Sequence, residues 1–244
     1  MNIDFWSDIV CPHCGLMQHR LNAAVERAPF GPQVNVRHHS FQLHPDLPRG
    51  GVTQRELFTR AGLPQSQVPR LLGTIETAAE AEGLTPYHAI DRTLGPTDYA
   101  HELLAYAADQ GRGNETWDAM FRAHFGQARK LWTAAEVMQF AGELGFDEQE
   151  AAAALRDRRY RDRVNADQRE AQRLGAHGTP FLVIDGRYTV PGAISTDALL
   201  NAMTRAWEEA HPEATTLPVL TEPGEMCTPD GCVVVPDSGT TALR

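Results

Sequence analysis

The sequence has no excess of basic residues. Its 22 Lys and Arg residues stand against 32 Asp and Glu residues, so the 244-residue chain has a formal charge of −10 at pH 7. No block of basic residues forms a stripe that could follow a phosphate backbone. We therefore expect no nucleic-acid partner.

Long hydrophobic runs are also missing. No uninterrupted apolar stretch approaches the roughly 18 residues of a membrane span, although 42% of the residues are hydrophobic, which suffices for a sizeable packed core. The opening MNIDFWSDIV contains two acidic residues and no basic one, unlike the basic start of a secretory signal. We expect a globular, cytoplasmic protein with no membrane partner.

Cysteine is scarce, and its placement is informative. The four cysteines fall into two close pairs, Cys11/Cys14 and Cys227/Cys232. Four are too few for a disulfide scaffold in a cytosolic protein of this size. Such pairs indicate redox chemistry or metal binding.

The first part of the chain predicts a strand, a helix and a second strand. Residues Asn2 to Trp6 alternate apolar and polar and lead directly into Cys11, which is typical of a short strand. Helical spacing follows from Pro12 to about Glu26, and Val34 to Leu43 predicts the second strand.

The middle and end of the chain differ in pattern. Residues 50 to 174 predict several helices and no convincing strand, and two helices start with a capping box, Thr53 with Glu56 and Thr133 with Glu136. Residues 181–185 and 188–190 predict a tight hairpin, and Ser195 begins a last helix.

This order predicts an α/β protein in which a thioredoxin fold is interrupted by an all-helical insertion domain. We assign residues 1–48 and 175–209 to the thioredoxin-like domain and residues 49–174 to the insertion. Residues 210–244, rich in proline and without a period, predict an extended C-terminal tail that carries the second cysteine pair.

The motif Cys11-Pro12-His13-Cys14 stands where the first predicted strand ends and the first predicted helix begins. Unpaired amides and the positive end of the helix dipole favour a thiolate at that place. Pro12 suits the first helical position because it has no amide hydrogen, and His13 adds a positive charge or a hydrogen bond. Thiols in such motifs have pKa values of about 3.5 to 7.5, against about 8.5 for free cysteine, so we predict a catalytic thiolate at Cys11.

Cys14, one helical turn after Cys11, is placed to resolve the mixed disulfide that the first thiol forms. Half of a zinc site, or two cysteines that only pack, are the other interpretations of a C-x-x-C motif by itself. The position of this motif directly after the first strand favours redox chemistry.

Thr179-Pro180 comes directly before the apolar strand of the predicted hairpin. A proline at the entrance to a central strand is costly unless its restricted geometry is used, and a cis peptide is one such use. A cis Pro180 would leave the backbone of Thr179 to pair with an extended peptide or thiol beside Cys11. We therefore predict that Thr179 and Pro180 bind substrate; a plain turn before the strand is the alternative.

The DFWSDIVCPHC opening, the helical insertion and the GTPFLVIDGRYTVPGA segment together resemble the DsbA-like thioredoxin superfamily, particularly its cytosolic FrnE-like branch. The resemblance implies a cis-proline loop at Thr179-Pro180 and disulfide oxidase, isomerase or reductase activity. We accordingly expect protein or small-molecule disulfides and thiols as substrates, a low-molecular-weight thiol or a reductase as electron partner, and no cofactor or metal.

Two further observations bear on what the resemblance implies. The Pro12-His13 pair resembles the dipeptide of periplasmic DsbA, whereas many FrnE-like proteins have Trp in place of the His, so we expect a more oxidising dithiol. Kappa-class glutathione transferases and 2-hydroxychromene-2-carboxylate isomerases, of the same superfamily, commonly have Ser in place of the first Cys. A glutathione-dependent transferase or isomerase is the alternative function, and the presence of both thiols favours redox.

The second pair lies in Cys227-Thr228-Pro229-Asp230-Gly231-Cys232. Pro-Asp-Gly is a strong turn signal that brings the two sulfurs close enough for a disulfide. Some FrnE-like proteins have a second C-x4-C dithiol near the C-terminus, which this segment resembles. We hypothesise that Cys227/Cys232 relays electrons to or from Cys11/Cys14; a local clip that never exchanges is the alternative.

Other chemistry-bearing residues receive simpler interpretations. The four cysteines could form the zinc site of a structural or chaperone-like binding protein, although the tail pair is spaced more widely than in a zinc ribbon. His38 and His39 are adjacent in a predicted strand and point to opposite faces, which argues against a shared metal. We expect His177 to be an exposed loop residue, and Phe5 and Trp6 to belong to the sheet core.

Overall fold

The structure of the chain is a computed structural model that describes residues 1–212, 225–228 and 231–234. Met1–Trp207 and Glu208–Arg244 form two compact units. The strands are β1 (Asn2–Ser7), β2 (Asn35–Ser40), β3 (Val52–Thr53), β4 (Thr93–Leu94), β5 (Phe181–Ile184), β6 (Tyr188–Pro191), β7 (Glu225–Thr228) and β8 (Gly231–Val234). The α-helices are α1 (Pro12–Arg27), α2 (Gln54–Arg60), α3 (Val68–Ala81), α4 (Asp98–Asp109), α5 (Gly113–Phe121), α6 (Ala134–Glu143), α7 (Glu148–Arg156), α8 (Arg161–Arg173) and α9 (Thr196–Ala210).

A four-stranded sheet in the order β2-β1-β5-β6 lies at the centre of the first unit. β1 pairs in parallel with β2 through the α1 crossover, and it pairs antiparallel with β5 on its other side. β5 and β6 form the predicted hairpin, whose turn places Asp185 and Gly186 at positive φ. The mixed sheet confirms the predicted α/β class and the thioredoxin-type order of elements.

Both faces of this sheet are covered because successive side chains of a strand point to opposite sides. On one face, Phe5 packs in a cluster with Leu21 of α1 and Leu199 of α9. On the other face, Trp6 packs in a cluster with Ala171 of α8. Phe5 and Trp6 therefore belong to the sheet core, as predicted.

The residues between β2 and β5 form the predicted helical block. Both capping boxes are present: the amide of Glu56 donates to the Thr53 hydroxyl at 3.1 Å, and the amide of Glu136 donates to the Thr133 hydroxyl at 3.2 Å. The core of this block is continuous with the beginning of α1, because Cys11 packs in the same cluster. The division into domains at residues 48 and 174 stays a prediction.

One prediction for the helical block is wrong. β3 and β4 pair antiparallel there, with Val52 opposite Leu94 and Thr53 opposite Thr93, where no strand was expected. A strand of two residues is too short to show an alternating pattern, and its partner is distant in the sequence.

Among the described residues, no helix is long and apolar enough to cross a membrane.

The second unit contains an antiparallel hairpin of β7 and β8. Both strands lie within residues 210–244, which the sequence predicts as an extended tail, and each has only four residues. Pro229 and Asp230 of the predicted turn lie outside the described residues, but Cys227 is directly opposite Cys232 in the register of the two strands.

Candidate active site

Cys11 is the N-cap residue of α1, and Pro12 occupies the first helical position, as predicted. The Cys14 amide donates to the carbonyl of Cys11 at 2.9 Å, which closes the first turn directly after the turn that follows β1. Cys11 is 4% exposed and Cys14 is fully buried, whereas His13 is exposed. The helix start thus presents one sulfur near the surface and holds the other beneath it.

The two sulfurs differ in acidity. The pKa of Cys11 lies well below the usual thiol range, mainly because the Cys14 thiol donates a hydrogen bond to its sulfur. Hydrogen bonds with His13 and Thr179 lower this pKa further, and the three contributions together outweigh the opposing effect of burial. Burial and the neighbouring Cys11 sulfur raise the pKa of Cys14 well above that range. The surroundings therefore favour the thiolate at Cys11 and the protonated thiol at Cys14.

The loop before β5 lies against this dithiol. The Thr179-Pro180 peptide is cis, as predicted. The Cys11 thiol donates to the Thr179 carbonyl oxygen at 3.5 Å, and the Thr179 side chain also lowers the pKa of both cysteines. The structure thus brings Thr179 next to Cys11 although the two residues are 168 positions apart in the sequence.

Two residues of the helical block bind the carbonyls on either side of Cys11. Arg92 Nη2 donates to the Val10 carbonyl at 2.7 Å, and the Tyr87 hydroxyl donates to the Pro12 carbonyl at 2.5 Å. Sequence reasoning missed both residues. No local pattern marks them, because their function depends on contacts far apart along the chain.

A buried carboxylate, that of Asp8, lies three residues before Cys11. Asp8 is fully buried and accepts from the Leu43 amide at 2.6 Å, and its Oδ1 is 3.3 Å from His101 Nε2. Burial alone would raise the pKa of Asp8, but the hydrogen bonds from His101 and Leu43 outweigh it and lower the pKa. Asp8 is thus an anion whose lone pairs are already occupied by donors.

A cavity of about 410 Å³ borders α1 one turn after Cys11. Gly15 lines it, and glycine is required there because a Cβ atom would lie 2.6 Å from the Tyr87 hydroxyl and 2.9 Å from the Phe125 ring. The cavity also has polar lining residues, including Gln18, His19, Asn22, Asp118 and Arg122. The helical block therefore leaves an opening with apolar and polar walls beside the reactive helix.

The remaining candidate residues lie elsewhere. His38 packs against Phe5 and Trp117, while His39 contacts Asp4 and Asp167 on the other face of the sheet, so the two imidazoles point apart as expected. His177 is exposed. Within the described part of the chain, no cluster of three or more His, Cys, Asp or Glu residues could hold a metal ion.

Cys227 and Cys232 belong to the second unit, and their side chains lie outside the described residues. Directly opposite residues of an antiparallel pair have Cα atoms about 4.5 to 5.5 Å apart, within the range that a disulfide spans. The backbone register is therefore compatible with a disulfide in the hairpin. Exchange between this pair and Cys11/Cys14 stays a hypothesis.

Comparisons with known proteins identify a matching family model and similar structures. A family model described as a DSBA-like thioredoxin domain matches residues 2–204. The structure of a probable DsbA oxidoreductase from Streptomyces coelicolor is 34% identical in sequence, and the match covers 97% of this chain and 100% of that chain with a TM-score of 0.80. No protein in a search of curated sequences matches.

Two more distant structures share the fold. The cytosolic disulfide reductase DsbM from Pseudomonas aeruginosa, determined with GSH, is 19% identical, and the match covers 86% of this chain and 98% of that chain with a TM-score of 0.55. A 2-hydroxychromene-2-carboxylate isomerase is 15% identical with the same coverage and a TM-score of 0.62. At these identities the likeness is one of fold.

Proposed function

This chain belongs to the DSBA-like thioredoxin domain family, and on that premise we propose that it is a thiol-disulfide oxidoreductase that uses Cys11 as nucleophile and Cys14 as resolving thiol. The observation that carries the proposal is the placement of Cys11 at the N-cap of α1, with its sulfur 3.5 Å from the Thr179 carbonyl oxygen and Cys14 one turn on. The opposite directions of the two pKa shifts support it. An attacking thiolate and a protonated resolving thiol are the two states that the reaction needs at its start.

The proposed reaction begins when the Cys11 thiolate attacks one sulfur of a substrate disulfide. A Cys11–substrate disulfide forms and the other substrate sulfur leaves as a thiolate. Cys14 then loses its proton, which the leaving thiolate can accept, and attacks the Cys11 sulfur. The second substrate sulfur leaves as a thiolate and takes up a proton from solvent. The substrate gains two electrons, and the dithiol becomes the Cys11–Cys14 disulfide. The reverse sequence oxidises a substrate dithiol.

The substrate class follows from the surroundings of Cys11. The Thr179 backbone lies beside the sulfur, where an extended peptide or a thiol ligand can pair with it, and the cavity next to Gly15 can accept a substrate side chain. We propose protein or small-molecule disulfides as substrates, with a low-molecular-weight thiol or a reductase restoring the dithiol. A cytoplasmic location is proposed with it.

The C-terminal pair is proposed to extend this chemistry. A hairpin disulfide between Cys227 and Cys232 would accept electrons from the Cys11/Cys14 dithiol, and the reduced Cys227/Cys232 dithiol would supply electrons to a Cys11–Cys14 disulfide, by the same exchange reaction. The register of β7 and β8 supports the ability of this pair to form a disulfide.

The test uses the full chain and its Cys11→Ser and Cys14→Ser variants. We expect Cys14→Ser to accumulate a mixed disulfide between Cys11 and a peptide substrate that contains a disulfide, because the resolving step is removed. Mass spectrometry detects this adduct. Cys11→Ser should form no such adduct and should not reduce insulin. Folding of both variants is checked by circular dichroism.

Three outcomes would contradict the proposal. In Cys11→Ser, an adduct on Cys14 that forms as fast as the Cys11 adduct of Cys14→Ser would show that Cys11 is not the specific nucleophile. Glutathione-dependent conjugation or isomerisation of a substrate by the wild-type protein, without net redox turnover, would favour the transferase or isomerase alternative. Stoichiometric zinc in the reduced protein, bound by the cysteines, would favour a zinc-stabilised binding protein.

A further inference from the structure

Arg92 is a buried cation directly behind the reactive helix start. The residue is 6% exposed, and its guanidinium carbon lies 4.9 Å from the centre of the Phe125 ring. Its hydrogen-bond partners are all uncharged: the carbonyls of Val10 and Ala89, the side-chain oxygen of Gln54 and the ring of His124. Among the described residues, no carboxylate is hydrogen-bonded to this guanidinium.

His124 is the partner whose charge must be established. Its Nδ1 is 2.9 Å from the Arg129 carbonyl and its Nε2 is 2.6 Å from Arg92 Nη1. Because a guanidinium has donors only, Nε2 must accept and the ring proton must be on Nδ1. Burial and the charge of Arg92 lower the pKa of His124 to about 3. His124 is therefore neutral and does not balance the charge.

A buried charge is costly unless an opposite charge compensates it. Burial lowers the pKa of Arg92 to about 10, so the guanidinium is still cationic at neutral pH. The titratable groups near enough to interact with it electrostatically are Tyr87, Cys11, Asp8 and Glu76. The other titratable groups around the dithiol are His13, Cys14 and His101.

The two carboxylates in this set are already engaged. Asp8 accepts from the Leu43 amide and is bound by His101, and Glu76 Oε1 accepts from the amides of Ala89 and Ile90. The thiolate of Cys11, by contrast, appears only in the reduced protein. A cation that is present in both redox states stabilises the state in which this additional anion exists.

We propose that Arg92 is a positioning residue for the dithiol, an inference that rests on the proposed function. Its guanidinium holds the carbonyl of Val10, the residue before Cys11, and its positive charge stabilises the Cys11 thiolate. Arg92 thus favours the reduced form over the Cys11–Cys14 disulfide. The helical block thereby sets the acidity of a thiol that belongs to the thioredoxin-like part of the chain.

Tyr87 provides a matched control because it binds the neighbouring carbonyl without carrying a charge. Its hydroxyl donates to Pro12 as Arg92 donates to Val10. Tyr87→Phe removes a hydrogen bond beside Cys11 and keeps the ring that stacks on Phe125. A difference between the Arg92 and Tyr87 variants therefore reports the charge rather than the loss of a single hydrogen bond.

The experiment measures the alkylation rate of Cys11 against pH in the reduced full chain, resolved by residue with mass spectrometry. Arg92→Met removes the charge with little change in length, and we expect it to raise the midpoint of Cys11 by about one pH unit or more. Arg92→Lys should retain most of the wild-type acidity. Tyr87→Phe should shift the midpoint by clearly less than Arg92→Met does.

A second variant tests the charge without deleting the side chain. Gln54 Oε1 is 3.0 Å from Arg92 Nη2, so Gln54→Glu places a carboxylate on the guanidinium with almost no change in shape. We expect Gln54→Glu to raise the Cys11 midpoint as Arg92→Met does. Both variants should also lower the reduction potential of the dithiol, by about 30 mV for each tenfold loss of thiolate stabilisation.

The outcomes separate this inference from the proposed function. A low wild-type midpoint that neither Arg92→Met nor Gln54→Glu shifts would overturn the inference alone. An equal shift in Tyr87→Phe would also overturn it, because the hydrogen bond would then explain the effect. If Arg92→Met does not fold, Gln54→Glu decides. An ordinary thiol midpoint in the wild-type protein would overturn the proposed function itself.

Discussion

The chain carries two cysteine pairs in contrasting backbone settings. Cys11 and Cys14 stand at the beginning of a helix, whereas Cys227 and Cys232 are directly opposite each other in an antiparallel hairpin. A helix start is electrically asymmetric because its free amides and dipole act on the first residue most strongly. A β-sheet has only a small net dipole, so a hairpin offers no comparable axis.

The difference in backbone setting shows how the same thiol group can take two different chemical roles. At the helix start the pKa of Cys11 is lowered and that of Cys14 is raised, so the pair is divided into an attacking and a resolving sulfur. The hairpin register supports pairing of two equivalent cysteines. We therefore expect the first pair to react with substrates and the second pair to exchange with the first.

The largest expected effect separates the two pairs by activity. Cys11→Ser should reduce the rate of insulin reduction by about a thousandfold or more, because a serine hydroxyl is not ionised at neutral pH and cannot exchange with a disulfide. The double variant Cys227→Ser/Cys232→Ser should keep the wild-type rate in a single turnover. Equal losses in the two variants would remove the distinction between the pairs.

Acid should destabilise the first unit through a group beneath its dithiol. Burial lowers the pKa of His124 to about 3 from 6.5, so the unfolded chain binds a proton below pH 6.5 that the folded chain refuses. Stability is therefore full above pH 6.5 and falls between pH 6.5 and about 3, by about 2 kcal/mol for this group on reaching pH 5. Urea unfolding at a series of pH values measures the loss.

His124→Gln is the control for this prediction. The glutamine amide can donate to the Arg129 carbonyl and its oxygen can accept from Arg92, as the imidazole does, but glutamine does not titrate. We expect the variant to lose less stability than the wild type as the pH falls from 6.5 to 5. Identical slopes would assign the acid sensitivity to other groups.

The exchange between the two pairs is tested by turnover. In the double variant Cys227→Ser/Cys232→Ser we expect reoxidation of the Cys11/Cys14 dithiol to slow by about tenfold in multiple-turnover assays, because a tethered disulfide reacts at an effective concentration near the millimolar range. Single-turnover rates serve as the internal control. Unchanged multiple-turnover rates would identify the hairpin pair as a local clip.

The smallest expected effect concerns the loop that faces Cys11. Thr179→Val keeps the shape of the side chain and removes the hydroxyl, so we expect the alkylation midpoint of Cys11 to rise by roughly half a pH unit. Thr179→Ser retains the hydroxyl and should restore the wild-type value. The midpoints of Cys227 and Cys232 should stay unchanged in both variants, and a shift there would show a general effect on the protein.

Local signals in the sequence predicted the parts of the site that depend on neighbouring residues. The place of Cys11 follows from a strand that runs into a proline at the first helical position, and the cis peptide of Pro180 follows from its place before a buried strand. The capping residues Thr53 and Thr133 likewise act within their own first turns. Each of these features is decided within a few residues of the chain.

The parts that the sequence did not predict depend on contacts between distant segments. Arg92 and Tyr87 reach the carbonyls beside Cys11 from the helical block, and the pairing of Asp8 with His101 joins the segment directly after β1 to α4. No periodicity or spacing encodes such contacts. The strands β3 and β4 were missed for a related reason, because a two-residue strand is defined by its partner rather than by its own pattern.

One measurement tests the central claim most directly: the alkylation rate of each of the four cysteines against pH in the fully reduced, native full chain. We predict a midpoint for Cys11 well below that of a free thiol, a midpoint for Cys14 well above it, and ordinary midpoints for Cys227 and Cys232. A Cys11 midpoint equal to those of the tail cysteines would contradict the account, since the helix start would then confer no special acidity on its first sulfur.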